Sequence, residues 1–163
     1  MAELFHVLDI IRGTTVDGPG FRTAIYLAGC SHQCRDCHNP QSWKEENGIP
    51  MSLEEIMQIV GEEDFDVTLS GGDPLFNPSL TRKLMEALKN NGRNIWLYTG
   101  YTWEELLHNQ ELLKAATLAD VVVDGPFITE LKDLDLLFRG SANQRLIDVA
   151  RSLEQKSIVL YKQ

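Results

Sequence analysis

At 163 residues, with 43% hydrophobic and 24% charged residues, the chain is sized for one globular domain, residues 1–163, with a real core. The formal net charge of −9, with lysines and arginines scattered rather than gathered in a stripe, argues against a nucleic-acid partner. No apolar run approaches the ~18 residues of a membrane helix, and Met1 to His6 shows no secretory signal, so the expectation is a cytoplasmic protein that binds no membrane.

In chain order, the apolar stretch Leu4 to Ile11 predicts a first strand. Arg12 to Gly20, with Gly13, Asp17, Gly18, Pro19 and Gly20, reads as a turn-rich loop. Phe21 to Gly29 is a second strand candidate, and it delivers the chain to Cys30. Lys44 to Pro50 reads as a polar connector. Ser52 with Glu55 forms a capping box, and Leu53, Ile56, Met57 and Val60 recur at helical spacing, so a helix follows to about Gly61. Asp66 to Ser70 predicts a short buried strand running into Gly71, Gly72, Asp73 and Pro74. Asn77 and Pro78 then open a second amphipathic helix, closed at Asn91-Gly92.

Asn94 to Thr99 is the next predicted strand, and Thr102 with Glu105 opens another helix. Asp120 to Val123 is a strand ending in Asp124-Gly125-Pro126. Ile128 to Ser141 carries no clear periodicity. Arg145 to Ser152 reads as a short helix, and Ser157 to Tyr161 as a last strand. Strands alternating with helices imply an α/β fold with right-handed crossovers. A closed eight-unit barrel takes ~250 residues, or ~31 per unit, so this chain supplies about five. The expectation is an open, partial (β/α) barrel of about five to six mostly parallel strands. Such sheets place their chemistry at the C-terminal ends of the strands. The cysteine loop, Gly71-Gly72-Asp73, Thr99-Gly100 and Asp124-Gly125 all fall at such ends.

The chain has three cysteines, Cys30, Cys34 and Cys37, within eight positions. An odd number so closely spaced points away from a disulfide framework and toward a soft metal centre in a reducing compartment. Thiolates favour zinc or an iron–sulfur cluster. A structural zinc is almost always four-coordinate and would need His32 or His38 as its fourth ligand. A [4Fe–4S] cluster held by three thiolates keeps one iron open to another ligand. The spacing favours the cluster. The glycine pair Gly71-Gly72 reads either as a plain strand-to-helix turn or as backbone bared for close approach to a polar ligand. Asp73 beside it is suited to an ammonium group or to a salt bridge. Trp43, Trp96 and Trp103 read as core or rim packing, and Arg22 as facing a cofactor or holding the cysteine loop.

The Cys30–Cys34–Cys37 spacing, followed by a strand ending in Ser70-Gly71-Gly72-Asp73-Pro74, resembles the radical S-adenosylmethionine superfamily. Asp17 to Arg22 resembles its glycyl-radical-enzyme activases. Leu97 to Tyr101, Asp120 to Phe127 and Arg139 to Gln144 resemble one branch, the activases of anaerobic (class III) ribonucleoside-triphosphate reductase. The resemblance runs from about Gly13 to Gln144. It implies that Cys30, Cys34 and Cys37 ligate a [4Fe–4S] cluster whose fourth iron is chelated by the methionyl amino and carboxylate groups of S-adenosylmethionine. Ser70, Gly71, Gly72 and Asp73 match the segment that receives the amino group. Asp36, Cys37 and His38 match the segment beside the adenine, and Asp124 matches a position contacting ribose or methionyl carboxylate. The position before the third cysteine is often aromatic in the superfamily; here it is Asp36, which leaves the adenine to backbone contact or to His38.

The implied activity is reductive cleavage of S-adenosylmethionine and hydrogen abstraction, by the 5′-deoxyadenosyl radical, from a glycine of the partner reductase. The implied electron donor is of flavodoxin type. Three alternatives stand beside it at this point: a formate-lyase-type activase, a carboxy-deazaguanine synthase-like enzyme, and a zinc-binding interaction module.

Overall fold

The structure is a computed structural model that describes residues 3–32 and 40–162. Residues Val67 to Leu69, Ile95 to Leu97 and Val121 to Val123 are consecutive buried positions rich in β-branched and aliphatic side chains. Such runs form strands covered on both faces. They become β4 (Asp66–Gly71), β5 (Ile95–Tyr98) and β6 (Val121–Asp124). With β1 (Phe5–Thr14), β2 (Arg22–Leu27), β3 (Ile49–Met51) and β7 (Arg145–Asp148) they make a seven-stranded sheet of order β3-β1-β2-β4-β5-β6-β7. The central β2, β4, β5 and β6 are mutually parallel. The outer strands β1, β3 and β7 join antiparallel, and among the described residues the two edges do not meet. The sheet is thus an open one with a parallel heart.

The crossovers are α1 (Leu53–Gly61) before β4, α2 (Pro78–Asn90) before β5, and the pair α3 (Trp103–Leu107) and α4 (Gln110–Ala116) before β6; α5 (Val149–Gln155) follows β7. Ile56 and Val60 of α1, Leu84, Met85 and Leu88 of α2, and Leu112 of α4 bury against Val67, Leu69, Ile95, Leu97 and Val122. The period-two alternation of the strands sends Trp96, Tyr98, Val121 and Val123 to the other face. There they meet Phe138, Leu146 and Tyr161. Each main helix starts where a side chain satisfies an orphan amide. Ser52 and Thr102 form full capping boxes with Glu55 and Glu105, and Asn77 caps α2 ahead of Pro78.

Several expectations are corrected. The first strand continues past Ile11 to Thr14, because Arg12 and Thr14 pair with Thr23 and Arg22 across a register shift. The connector at 44–50 contributes Ile49 and Pro50 to an edge strand, pairing with Val7 and His6. The helix expected over Arg145 to Ser152 is a strand to Asp148, whose side chain accepts from Arg151 N and so starts α5. Ser157 to Tyr161 contributes only an isolated bridge, Ile147 to Leu160. The helix from Thr102 is broken at His108, and Asn109 caps a second one. The strand count therefore rises from five or six to seven, the additions being short antiparallel segments.

Candidate functional site

Because β2, β4, β5 and β6 run the same way, Leu27, Gly71, Tyr98 and Asp124 end at one edge of the sheet. The segments leaving them surround a cavity of about 240 Å³. Cys30 and His32 line it from the loop after β2, Ser70, Gly71 and Gly72 from the end of β4, and Thr99 and Gly100 from the end of β5. Gly125 and Phe127 follow β6, and Trp43, Gly140 and Gln144 complete the wall. The convergence expected of the strand ends is what the fold builds.

Cys30 is placed by backbone hydrogen bonds. Gly29 N donates to Ser42 O at 2.7 Å and Cys30 N to Trp43 O at 3.1 Å. Gly72 N donates to Leu27 O and Asp73 N to Gly29 O, both at 2.8 Å. The segments around residues 29, 42 and 72 are therefore in backbone contact, and the glycine pair is what permits it. Gly71 holds φ +113°, where a Cβ would lie 2.3 Å from Leu27 O. At Gly72 a Cβ would lie 2.5 Å from Gly29 O and 2.6 Å from Ser42 O. The turn reading and the close-approach reading of this pair both hold, and the approach within the protein is to its own backbone.

Asp73 does not face the cavity. It is 2% exposed, and its carboxylate accepts from Leu75 N (2.9 Å), Thr99 Oγ1 (3.0 Å) and Gly100 N (3.0 Å). His32 Nε2–H donates to the same carboxylate at 2.5 Å, since a carboxylate only accepts. That hydrogen bond raises the imidazole above its usual range, against the opposing effect of desolvation. His32 packs edge-on to Tyr101, with 4.5 Å between ring centroids. Its ring lies where a Cβ on Gly100 would stand, at 2.6 Å. The sequence named His32 only as a possible zinc ligand; here it straps the start of the cysteine loop to the ends of β4 and β5.

Asp124 is equally committed. It is 1% exposed, accepts from Trp103 N at 2.8 Å, and forms a two-pronged pair with Arg145: Nε to Oδ1 at 3.1 Å and Nη2 to Oδ2 at 2.6 Å. The cavity is met by the following residue, Gly125. The turn Arg139 to Gln144 closes that side. Gln144 Oε1 accepts from Gly140 N and Ser141 N, and its Nε2 donates to Gly125 O at 3.1 Å.

Arg22 takes neither role expected of it. It is 2% exposed at the start of β2, the end remote from the cavity. Its guanidinium donates to Thr68 Oγ1, Val67 O, Asn94 Oδ1 and Pro19 O, with its carbon 5.7 Å from the Trp96 ring centroid. Trp96 and Trp103 are buried in the core, and Trp43 sits at the rim, where it lines the cavity. Of the remaining candidates, Cys34, Asp36, Cys37 and His38 lie outside the described residues.

Residues 16–147 match the family model described as a 4Fe-4S single cluster domain. The chain is 35% identical over 139 residues to the anaerobic ribonucleoside-triphosphate reductase-activating protein of Escherichia coli K12, covering 79% of this chain and 89% of that one. The Vibrio cholerae protein of the same name is 38% identical over 139 residues, covering 79% and 88%. That of enterobacteria phage T4 is 34% identical, covering 80% and 86%. Among solved structures, QueE from Escherichia coli superposes with a TM-score of 0.50 at 19% identity, over 61% of this chain and 53% of that one, a likeness of fold. With a parallel sheet centre that brings Cys30 and glycine-rich strand ends to one rim, this chain belongs to the family of anaerobic ribonucleoside-triphosphate reductase-activating proteins.

Proposed function

We propose that this chain, as a single radical S-adenosylmethionine domain spanning 1–163, generates the glycyl radical of an anaerobic ribonucleoside-triphosphate reductase. Cys30, Cys34 and Cys37 hold the [4Fe–4S] cluster in this reading. The observation that carries it is that Cys30 opens onto the same cavity as the bared backbone of Ser70, Gly71 and Gly72, in a chain of this family. The residues present fit the group. The cavity offers Cys30 and glycine backbone, and Trp43, which also lines it, carries a buried Nε1–H that has no acceptor among the described residues.

When bound, cluster and S-adenosylmethionine supply one-electron cleavage of the sulfonium and abstraction of the glycine hydrogen. The protein's own part is positional. The backbone of Ser70 to Gly72 receives the methionyl amino group, with Asp73 behind it fixing the strand ends rather than touching the ligand. Gly125, held by Gln144, offers backbone on the β6 side in place of the Asp124 carboxylate. Asp36, Cys37 and His38 complete the adenine side. Phe127 and Tyr98 add apolar surface to the cavity wall and limit water. Tyr98 OH is tied to Phe138 O at 2.7 Å, and burial pushes its phenol well above its usual range, so it stays a neutral wall. The reductant is of flavodoxin type, the compartment is the cytoplasm, and neither nucleic acid nor membrane is a partner. Among the described residues no helix is long and apolar enough to cross a membrane.

The test is anaerobic reconstitution, then incubation with the reductase, S-adenosylmethionine and a reductant. The expected result is a glycyl-radical doublet by electron paramagnetic resonance on the reductase, absent with Cys30→Ala, Cys34→Ala or Cys37→Ala. A reconstituted protein that holds zinc and no sulfide refutes the reading, as does a fully active single-cysteine variant.

A further inference from the structure

Trp43 presents a donor without an acceptor. Its Nε1–H is buried and finds no partner among the described residues. A buried N–H left unpaired is destabilising, so native proteins pair such groups with something. The position says with what. Trp43 lines the cavity together with Cys30, and its own backbone carbonyl accepts from Cys30 N at 3.1 Å. The neighbouring Ser42 carbonyl accepts from Gly29 N at 2.7 Å, and Gly72 packs against it with no room for a Cβ. The backbone that carries the indole is therefore fixed by the same pairing that fixes the first cysteine. The short 3₁₀ turn Pro40–Trp43 that carries it returns the chain from the cysteine loop.

We propose that the Trp43 indole N–H donates a hydrogen bond to the sulfur shell of the iron–sulfur cluster, sulfide or thiolate, and makes the cluster easier to reduce. The inference rests on the function proposed above, in that it requires the cluster. Cluster sulfurs are weak acceptors whose negative charge grows when an electron is added. An N–H aimed at them stabilises the reduced state more than the oxidised one, and hydrogen bonds to sulfur are among the determinants of cluster potential. A donor of this kind favours an activase, whose cluster must take one electron from a soluble carrier before any substrate chemistry begins. Trp43 is a positioning and tuning residue in this account; it touches the cluster's sulfur and no reacting carbon.

The decisive comparison is Trp43→Phe against the parent protein, both reconstituted anaerobically and titrated potentiometrically by electron paramagnetic resonance. Phenylalanine keeps an aromatic ring and removes the N–H. At a fixed poise the ratio of reduced to oxidised cluster is expected to fall about tenfold, a midpoint shift of about 59 mV to more negative values for a one-electron couple. A second measurement does not depend on the variant folding. With ¹⁵N-indole tryptophan in the parent protein, pulsed resonance on the reduced cluster is expected to show one coupled nitrogen and one exchangeable proton. Trp96 and Trp103 do not line the cavity, so the coupling reports on Trp43 alone. Unchanged midpoint in a fully loaded Trp43→Phe, or a parent cluster with no ¹⁵N coupling, overturns the proposal and leaves the activase reading standing. A parent protein that assembles no [4Fe–4S] cluster overturns both.

Discussion

A carboxylate that accepts from Leu75 N, Thr99 Oγ1, Gly100 N and His32 Nε2 joins the segments that follow three parallel strands, and removing it leaves buried donors unpaired. Asp73→Ala is expected to destabilise the protein by about 3 kcal/mol, the range for stripping a buried, multiply bonded acceptor. Urea unfolding measures it, and a loss below about 1 kcal/mol would show that water replaces the carboxylate freely. Arg145 sets up a second residue-scale test with a pH signature. It pairs with buried Asp124 and with Glu104, whose carboxylate is 58% exposed. The Arg145 hydrogen bond holds Glu104 below its usual range. A depressed folded value means that the pair stabilises above the ordinary carboxylate range and that this contribution is lost as pH falls through the folded value. Solvent keeps that part under about 1 kcal/mol. Arg145→Gln is expected to return the Glu104 titration upward, as read by ¹³C resonances of the carboxylate. The same variant is expected to cost about 2–4 kcal/mol at neutral pH, because Asp124 is left buried and unpaired.

At the scale of elements, two glycines separate local from tertiary causes. Gly61 ends α1 with nothing within 4 Å of a built Cβ, so Gly61→Ala is expected to be neutral or stabilising by up to about 1 kcal/mol. Gly71 ends β4 at φ +113° with its Cβ position 2.3–2.4 Å from the β2 backbone, so Gly71→Ala is expected to cost about 3 kcal/mol or more and to lower iron loading. Thermal melts and iron content of the two variants check the pair together; equal melts would refute the close approach. The central strands and capped helices were legible because buried runs and capping residues are local signals. The edge strands β3 and β7 were not, since three or four residues such as Ile49 to Met51 become a strand only through distant partners in β1. The rim was legible for the same reason the strands were: parallel strands share one C-terminal edge. Trp43 and His32 were not, because the Ser42–Gly29 pairing and the Asp73 carboxylate that place them join segments 13 and 41 positions apart.

For the molecule as a whole, core and site are built from different material. The main core packs Ile25, Val67, Leu69, Ile95, Leu97 and Val122 against α1, α2 and α4, and among the described residues neither Cys30 nor His32 belongs to it. The sheet therefore has its own reason to fold, unlike a small zinc module, in which binding energy is folding energy. Removing iron and sulfide is expected to leave far-UV circular dichroism and a cooperative melt essentially intact. The cluster, binding the native state alone, is expected to raise the melting temperature by mass action. Its local effect belongs where the loop is stapled. Amide exchange at Gly29, Cys30, Gly72 and Asp73 is expected to slow severalfold on reconstitution, while amides of β5 and β6 change little. The opposite pattern, an apo-protein that loses its strands or a uniform change across the sheet, would mean that the cluster organises the fold. The rim at the strand ends would then be a consequence of metal binding and not its preformed seat.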